Sequence, residues 1–270
     1  NYNNSIWGGD ILNTQHKKHN FLFRIIIVFF LIVISIAHTS IKTNTNMVGV
    51  FSNKKELPIY SVDTKENKLA ISFDAAWGDD FTLEILDILD KYHVKSTFFL
   101  VGFWVDKYPE HVKEIQKRGH EVGNHSTNHP YMSKLTEEEI IKELKTTGDK
   151  IEKLTSKKPI LFRPPFGDYN DRLINVCRDN GYYVIQWDVD SLDWKEMGAQ
   201  PVVDRVTRNV KNGSIVLFHN NAKYISEYLP IIIERLQDEG YEIVPVSELI
   251  YKENFYMDNT GRQMLLDNEN

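Results

Sequence analysis

The sequence predicts an α/β domain built on a parallel sheet and preceded by a membrane-spanning segment. Three observations carry this expectation. Seven short apolar runs alternate with windows of helical periodicity between Lys68 and Ile250. Gly119, Gly181 and Gly240 each follow a helical window and stand immediately before a strand-like run, where glycines end helices. Residues 21–37 form an almost uninterrupted apolar stretch. The strand spacing suits βα units and not a sandwich. Seven such strands can close as a barrel or lie open as a doubly wound sheet, and periodicity does not separate the two. Both architectures place ligands at the carboxyl ends of the strands.

In chain order, residues 1–20 are Asn-rich and polar, end in His16-Lys17-Lys18-His19, and read as a cytoplasmic leader. The apolar run 21–37 follows. Spanning a bilayer takes about 20 helical residues, so this run suffices if Arg24 reaches back to the interface. Basic residues on its N-terminal side set an N-in, C-out orientation. His38 and Thr39 come straight after Ala37, leaving no small-x-small cleavage site. The expectation is an uncleaved signal-anchor at the cell membrane, with the remainder outside the cytoplasm. Residues 38–66 read as a polar tether containing Pro58, and residues 67–250 as the α/β domain. Its expected strands are Leu69–Asp74, Ser96–Val101, His120–Asn124, Ile160–Arg163, Tyr182–Trp187, Ser214–His219 and Tyr241–Pro245. Between them, Ile85, Leu86, Ile88 and Leu89 make one helical stripe. Thr136 and Glu139 make a capping box ahead of Ile140, Ile141, Leu144, Ile151 and Leu154. Residues 251–270 read as a frayed, Asn/Asp-rich tail.

At 270 residues, with 41% hydrophobic and 26% charged, the chain can bury one sizeable core plus appendages. A net charge of −6 argues against a nucleic-acid partner. The single cysteine, Cys177, excludes an intrachain disulfide and a thiolate zinc site, so any metal must be held by His and carboxylate.

The strand ends carry the chemistry. The first strand ends at Asp74, the third at His125, and the fourth runs into Arg163-Pro164-Pro165-Phe166-Gly167. The fifth leads into Asp190-Ser191-Leu192-Asp193-Trp194, and the sixth ends at His219. Taken singly, each has an ordinary role: an Asp can cap a helix, an Arg before Pro-Pro can lie in a surface loop. Together at one edge they favour a hydrolytic enzyme. His125 and His129 are four apart, a spacing that on one helical turn puts both imidazoles on one face, close enough to share a cation. Two nitrogen ligands plus carboxylates is a catalytic and not a closed structural pattern.

These residues resemble a known family. Ser-Phe-Asp74, His125-Ser-Thr-Asn-His129-Pro, Arg163-Pro-Pro-Phe-Gly, Asp190-Ser-Leu-Asp193-Trp194 and Ile-Val-Leu-Phe-His219 look like the five motifs of the polysaccharide deacetylases, the NodB-homology domain, over residues 68–248. The anchor and the Trp-containing first motif are similar to the spore-associated subgroup of Gram-positive bacteria. The resemblance implies a distorted seven-stranded (β/α) barrel that removes N-acetyl, sometimes O-acetyl, groups from chitin, peptidoglycan or xylan with a divalent metal, zinc being expected. It implies that His125 and His129 are metal ligands, Asp74 the base, Arg163 its tether, His219 the general acid and Asp193 its partner. Trp194 and Leu217 would wall the pocket for the acetyl methyl. The implied partners are an acetylated cell-wall polysaccharide and the membrane, and the chain is expected to be a monomer.

One position departs from the pattern. The family has two adjacent aspartates in its first motif, the second a metal ligand, whereas here Asp74 is followed by Ala75. Three outcomes are open: Asp79 or Asp80 replaces it, Asp74 coordinates directly, or the metal binds weakly. The corresponding function classes are a membrane-anchored glycan deacetylase and an inactive glycan-binding protein on the same scaffold.

Overall fold

The computed structural model describes residues 55–266. The predicted leader and span, and the tether up to residue 54, lie outside them. Among the described residues no helix is long and apolar enough to cross a membrane.

The strands are β1 (Ser61–Val62), β2 (Lys68–Ala75), β3 (Thr97–Leu100), β4 (Glu121–Asn124), β5 (Leu161–Phe162), β6 (Tyr183–Val184), β7 (Val189–Asp190), β8 (Ile215–His219), β9 (Glu242–Ile243), β10 (Phe255–Met257) and β11 (Arg262–Leu265). The main sheet runs β6-β5-β4-β3-β2-β8-β7, with every pairing parallel, and β9 pairs with the start of β2. A parallel pair needs a crossover, and helices supply most of them, as the alternating pattern required.

The seven strands of that path form an α/β sheet with an open seam, since no ladder joins β6 to β7 among the described residues. The expected run Tyr182–Trp187 shortens to two residues, and β7 was not anticipated, because a two-residue strand carries no periodicity. Beside the seam, Ile59 bridges Ile185 and its backbone bonds Val184 and Gln186. Residues 58–63 thus lace the N-terminal stretch onto the sheet. Gly213 makes room for this, with φ of +80° and a position where a Cβ would fall 1.8 Å from the Val62 carbonyl oxygen. The reading of residues 38–66 as tether and 251–270 as frayed tail missed a second sheet, ordered β1-β11-β10. It joins both ends of the described chain through non-local pairing that local pattern cannot reveal.

The helices behave as patterned. Thr82–Lys91 buries Ile85, Leu86 and Leu89. Glu137–Thr155 starts at the predicted box, with Thr136 Oγ1 accepting from Glu139 N at 3.3 Å and Glu139 Oε2 from Thr136 N at 2.9 Å.

Strand alternation sorts β2 into two faces. Leu69, Ile71, Phe73 and Ala75 enter the core shared with the helices, where Phe73 stacks on Phe98 at 4.9 Å and on Phe218 at 5.7 Å. Fully burying a side chain the size of Leu69, Ile71 or Phe73 contributes about 1.5–3 kcal/mol. Ala70, Ser72 and Asp74 take the other face. Asp74 is in register with His219 of β8 and Phe99 of β3.

Candidate active site

Asp74 is 8% exposed. Its Oδ1 accepts from Arg163 Nη1 at 2.8 Å. Arg163 is fully buried, and its Nη2 donates to Ser72 Oγ at 2.9 Å and to the Gln186 carbonyl at 3.2 Å. The guanidinium carbon lies 4.1 Å from the Phe99 ring centre. Gly123 admits that ring, since a Cβ there would meet it at 2.5 Å. Burial alone would raise the Asp74 pKa, but the charge and hydrogen bond of Arg163 override it and hold the carboxyl below its usual range. Asp74 is therefore an ionised carboxylate with one oxygen tethered.

Its second oxygen, Oδ2, lies 3.5 Å from His125 Nε2. On the far side of that ring, Nδ1 sits 2.7 Å from the Arg163 carbonyl. A carbonyl only accepts, so Nδ1 carries the proton and Nε2 presents its lone pair toward Asp74. Burial holds His125 below its ordinary pKa, which keeps the ring neutral.

His129 sits 5.0 Å from His125, centre to centre, at 77°. The expected helical turn does not bring them together. Residues 125–131 form a loop in which Ser126 and His129 take left-handed φ values of 69° and 56°. The helix Glu137–Thr155 holds that loop: Glu143 Oε2 accepts from the Thr127 and Asn128 amides at 2.7 and 2.8 Å, and Thr147 Oγ1 donates to the Ser126 carbonyl at 3.0 Å. His129 is pushed down to about 4 by burial and then by His125. Its Nδ1 is buried without a hydrogen-bond partner.

Those two neutral imidazoles, one with an orphaned nitrogen and one with a lone pair facing a carboxylate, are the donor chemistry a divalent cation uses. The group is short of one donor. Ala75 is fully buried in the core and offers none, and among the described residues no group of three or more His, Cys, Asp or Glu is gathered to hold a metal. Neither Asp79 nor Asp80 lines the cavity, so neither replaces it; Asp79 Oδ2 lies 3.4 Å from His111 Nδ1 instead. Of the three outcomes left open, the geometry retains Asp74 as a direct ligand, or weak binding.

His219, across from Asp74, is built differently. Its Nδ1 is 2.7 Å from Asp193 Oδ1, and its backbone amide donates to Asp193 Oδ2 at 2.8 Å. Tyr228 donates to the same Oδ2 at 3.0 Å. Burial would lower the His219 pKa, but the hydrogen bond and charge of Asp193 outweigh it and raise it. The Asp193 bond takes Nδ1 and leaves Nε2 as the ring's other proton-carrying nitrogen.

These residues meet in a cavity of about 600 Å³ whose walls include Asp74, His125, His129, His219, Trp194 and Leu217. Arg163 and Asp193 stand behind the wall, each holding a residue in it. Trp194 is 56% exposed, so it belongs to the pocket and not to the core. Trp77 and Phe166, also exposed, flank His129 with ring centres at 4.9 and 4.5 Å. Of eight non-glycine residues with positive φ among those described, Ser126, His129, Phe166, Leu192 and Glu196 lie in loops at this edge. Such strain gathers where surrounding contacts impose a functional shape.

Sequence reasoning missed several supports. Ser72 was detectable, two residues before Asp74 and so on the same strand face. Tyr228 was not: on the helix Ile225–Asp238 it repeats with Leu229, Ile232 and Ile233 as an ordinary core stripe.

Residues 61–185 match the family described as polysaccharide deacetylase. The chain is 36% identical over 196 residues to a peptidoglycan-N-acetylglucosamine deacetylase of Bacillus cereus, covering 71% of this chain and 92% of that one. It is 38% identical over 189 residues to the peptidoglycan-N-acetylmuramic acid deacetylase PdaC of Bacillus subtilis, covering 70% of this chain but 40% of that one. Among solved structures, a CE4-family pseudoenzyme from Bacillus anthracis matches with a TM-score of 0.70 and 33% identity, over 77% of this chain and 70% of that one. A mutant of that pseudoenzyme is described as having restored enzymatic activity, and it matches at 34% identity.

Proposed function

The chain belongs to the polysaccharide deacetylase family, and we propose that it hydrolyses N-acetyl groups on a cell-wall glycan of the peptidoglycan or chitin type. The observation that carries this reading is the pairing of an ionised carboxylate with a raised-pKa histidine across one cavity. Asp74 and His219 are in register on β2 and β8, and each is held by its own buried partner. Enzymes that need a base and an acid at one pH set them apart in this way.

Asp74 takes a proton from a water, whose oxygen adds to the acetyl carbonyl. His219 then gives its proton to the amine nitrogen as the carbon–nitrogen bond breaks, releasing acetate and a free amino sugar. Arg163 keeps Asp74 ionised and aimed, and Asp193 keeps His219 protonated. Trp194 and Leu217 form the apolar wall for the acetyl methyl. A divalent metal, zinc in this reading, would be held by His125 and His129, and when bound it supplies Lewis-acid polarisation of the carbonyl and a more acidic water. The apolar run 21–37 would anchor the domain outside the cell membrane as a monomer, in the setting of the wall or the spore.

Ala75 favours a second reading, a glycan-binding protein with little or no turnover. Metal analysis of the purified chain, paired with acetate release from N-acetylated glycans, separates the two. The deacetylase reading expects both signals from the native chain, and Ala75→Asp should raise metal occupancy further. Native protein with neither signal, and an Ala75→Asp variant with both, would establish the second reading instead.

A further inference from the structure

The two histidines of the cavity are held by different means. The His125 ring is fixed through Nδ1 by the Arg163 carbonyl. Among the described residues no hydrogen bond fixes the His129 ring: its backbone amide donates to Ser126 Oγ at 3.0 Å, but Nδ1 is buried without a partner. A histidine χ2 is a broad torsion with little preference of its own, so something else must set the ring plane. Three rings meet it edge to face: Trp77 at 4.9 Å and 71°, Phe166 at 4.5 Å and 74°, and His125 at 5.0 Å and 77°. Phe166 is itself backed by Tyr131, stacked at 4.5 Å. Trp77 is 63% exposed, and burial alone does not place it.

The chain just after Trp77 places it. The Gly78 carbonyl accepts from Trp104 Nε1 at 2.7 Å and from Asn220 Nδ2 at 3.1 Å, so both its lone pairs are taken by buried side chains. Asn220 also donates from Nδ2 to Thr82 Oγ1 at 3.1 Å, and from its amide to the Asp74 carbonyl at 3.1 Å. Trp104 lies on the helix Gly102–Lys107, whose first two amides donate to the Ser126 and Thr127 carbonyls at 2.9 and 3.3 Å. The same helix lays Phe103 against Trp77, with 5.9 Å between ring centres. One short helix therefore grips the Trp77 loop and the His129 loop together. A histidine ligand is normally oriented by a hydrogen bond behind it, and losing that support costs about 10–100-fold in metal affinity. With Ala75 offering no donor, His129 supplies half of the site's nitrogen ligands, so its placement weighs more. Resting on the deacetylase reading of this site, we propose that Trp77 is a positioning residue for His129, replacing the missing hydrogen bond by ring contact. Asn220 and Trp104 hold it there through the Gly78 carbonyl.

The test uses the full chain and two readouts. Zinc affinity is measured by competition with a chromophoric chelator. In metal-free protein, nuclear Overhauser contacts between the His129 and Phe166 rings report the His129 ring plane. Trp77→Ala should weaken zinc binding by at least about tenfold and scatter those ring contacts. Its denaturant midpoint should stay close to native, because so exposed a ring buries little. Trp77→Phe, which keeps a ring, should restore most of both signals. Asn220→Ala should act in the same direction as Trp77→Ala, whereas Trp194→Ala, removing the other exposed tryptophan of the cavity, should leave zinc affinity unchanged. Native zinc affinity and native ring contacts in Trp77→Ala would overturn the proposal and leave Trp77 as a plain wall residue. Native zinc affinity in Asn220→Ala would overturn the hold through Gly78. A native chain that binds no zinc and releases no acetate would sink the deacetylase reading instead. The metal-free ring contacts then still decide the positioning, scattered contacts in Trp77→Ala upholding it and unchanged ones ending it.

Discussion

The two walls of the cavity hold their catalytic groups by different physics. On the Asp74 side, the carboxylate and guanidinium have side chains 9% and 0% exposed, and the pair is sealed over Phe99. On the His219 side, the imidazole is 34% exposed while Asp193 behind it is fully covered. The first wall is a permanent ion pair, costly to break and closed to titration near neutrality. The second is a proton store open to water, charged by its neighbour. A base must stay ionised throughout a turnover, whereas an acid must lose and regain its proton.

That contrast predicts unequal losses. The largest is in stability, from Arg163→Ala. It leaves the buried Asp74 carboxylate unpaired, which costs about 3–5 kcal/mol and should appear as a lower denaturant midpoint. If the variant unfolds within 1 kcal/mol of the native chain, the sealed-pair description is wrong. Because the folded Asp74 pKa is depressed, its stabilising contribution is present above the unfolded carboxylate pKa and is lost as pH falls through the folded one. Native stability should thus decline in acid, and the decline should shrink when Arg163 is gone.

Next comes turnover. His219→Ala should cost about 10²–10⁴-fold in acetate release, the usual value of a positioned acid, with metal content and denaturant midpoint close to native. Loss of metal in that variant would move His219 into the ligand set. The native rate should fall on the alkaline side, above the ordinary histidine range, because Asp193 raises the His219 pKa. Asp193→Asn should bring that limb to lower pH.

The smallest effect tests the support behind the acid. Tyr228→Phe removes one hydrogen bond to Asp193 Oδ2, worth about 1.5–3 kcal/mol for a charged acceptor at most, and about 1 kcal/mol if water enters in its place. The alkaline limb should shift with it, since Asp193 has lost one of its three donors. A stability change with an unmoved limb would mean that Tyr228 only packs.

Much of the site was legible in the sequence because its groups sit at strand ends, and strand ends are local features. Asp74, His125, Arg163, Asp193 and His219 were all found that way. The supports were not legible for a physical reason: Glu143, Tyr228 and Phe99 reach the site across the fold, from a helix face or a neighbouring strand whose local pattern says only amphipathic or apolar. The His125–His129 spacing was legible too, but its explanation was not. A four-residue interval suits a helical turn, whereas the loop achieves the same closeness with two left-handed residues pinned by Glu143.

By itself, the sequence determined the alternation of strand and helix, the capping box at Thr136, the glycines that end helices, and the identity of every candidate catalytic group, including the alanine at position 75. These are properties of residue type and short-range periodicity. Only the tertiary structure decided that the sheet keeps an open seam, that the two ends of the described residues meet in a second sheet, that Asp79 and Asp80 stand away from the site, and that Asp74 turns its second oxygen to His125. Each depends on groups far apart in sequence meeting in space, where burial and charge select the arrangement and no local pattern records it.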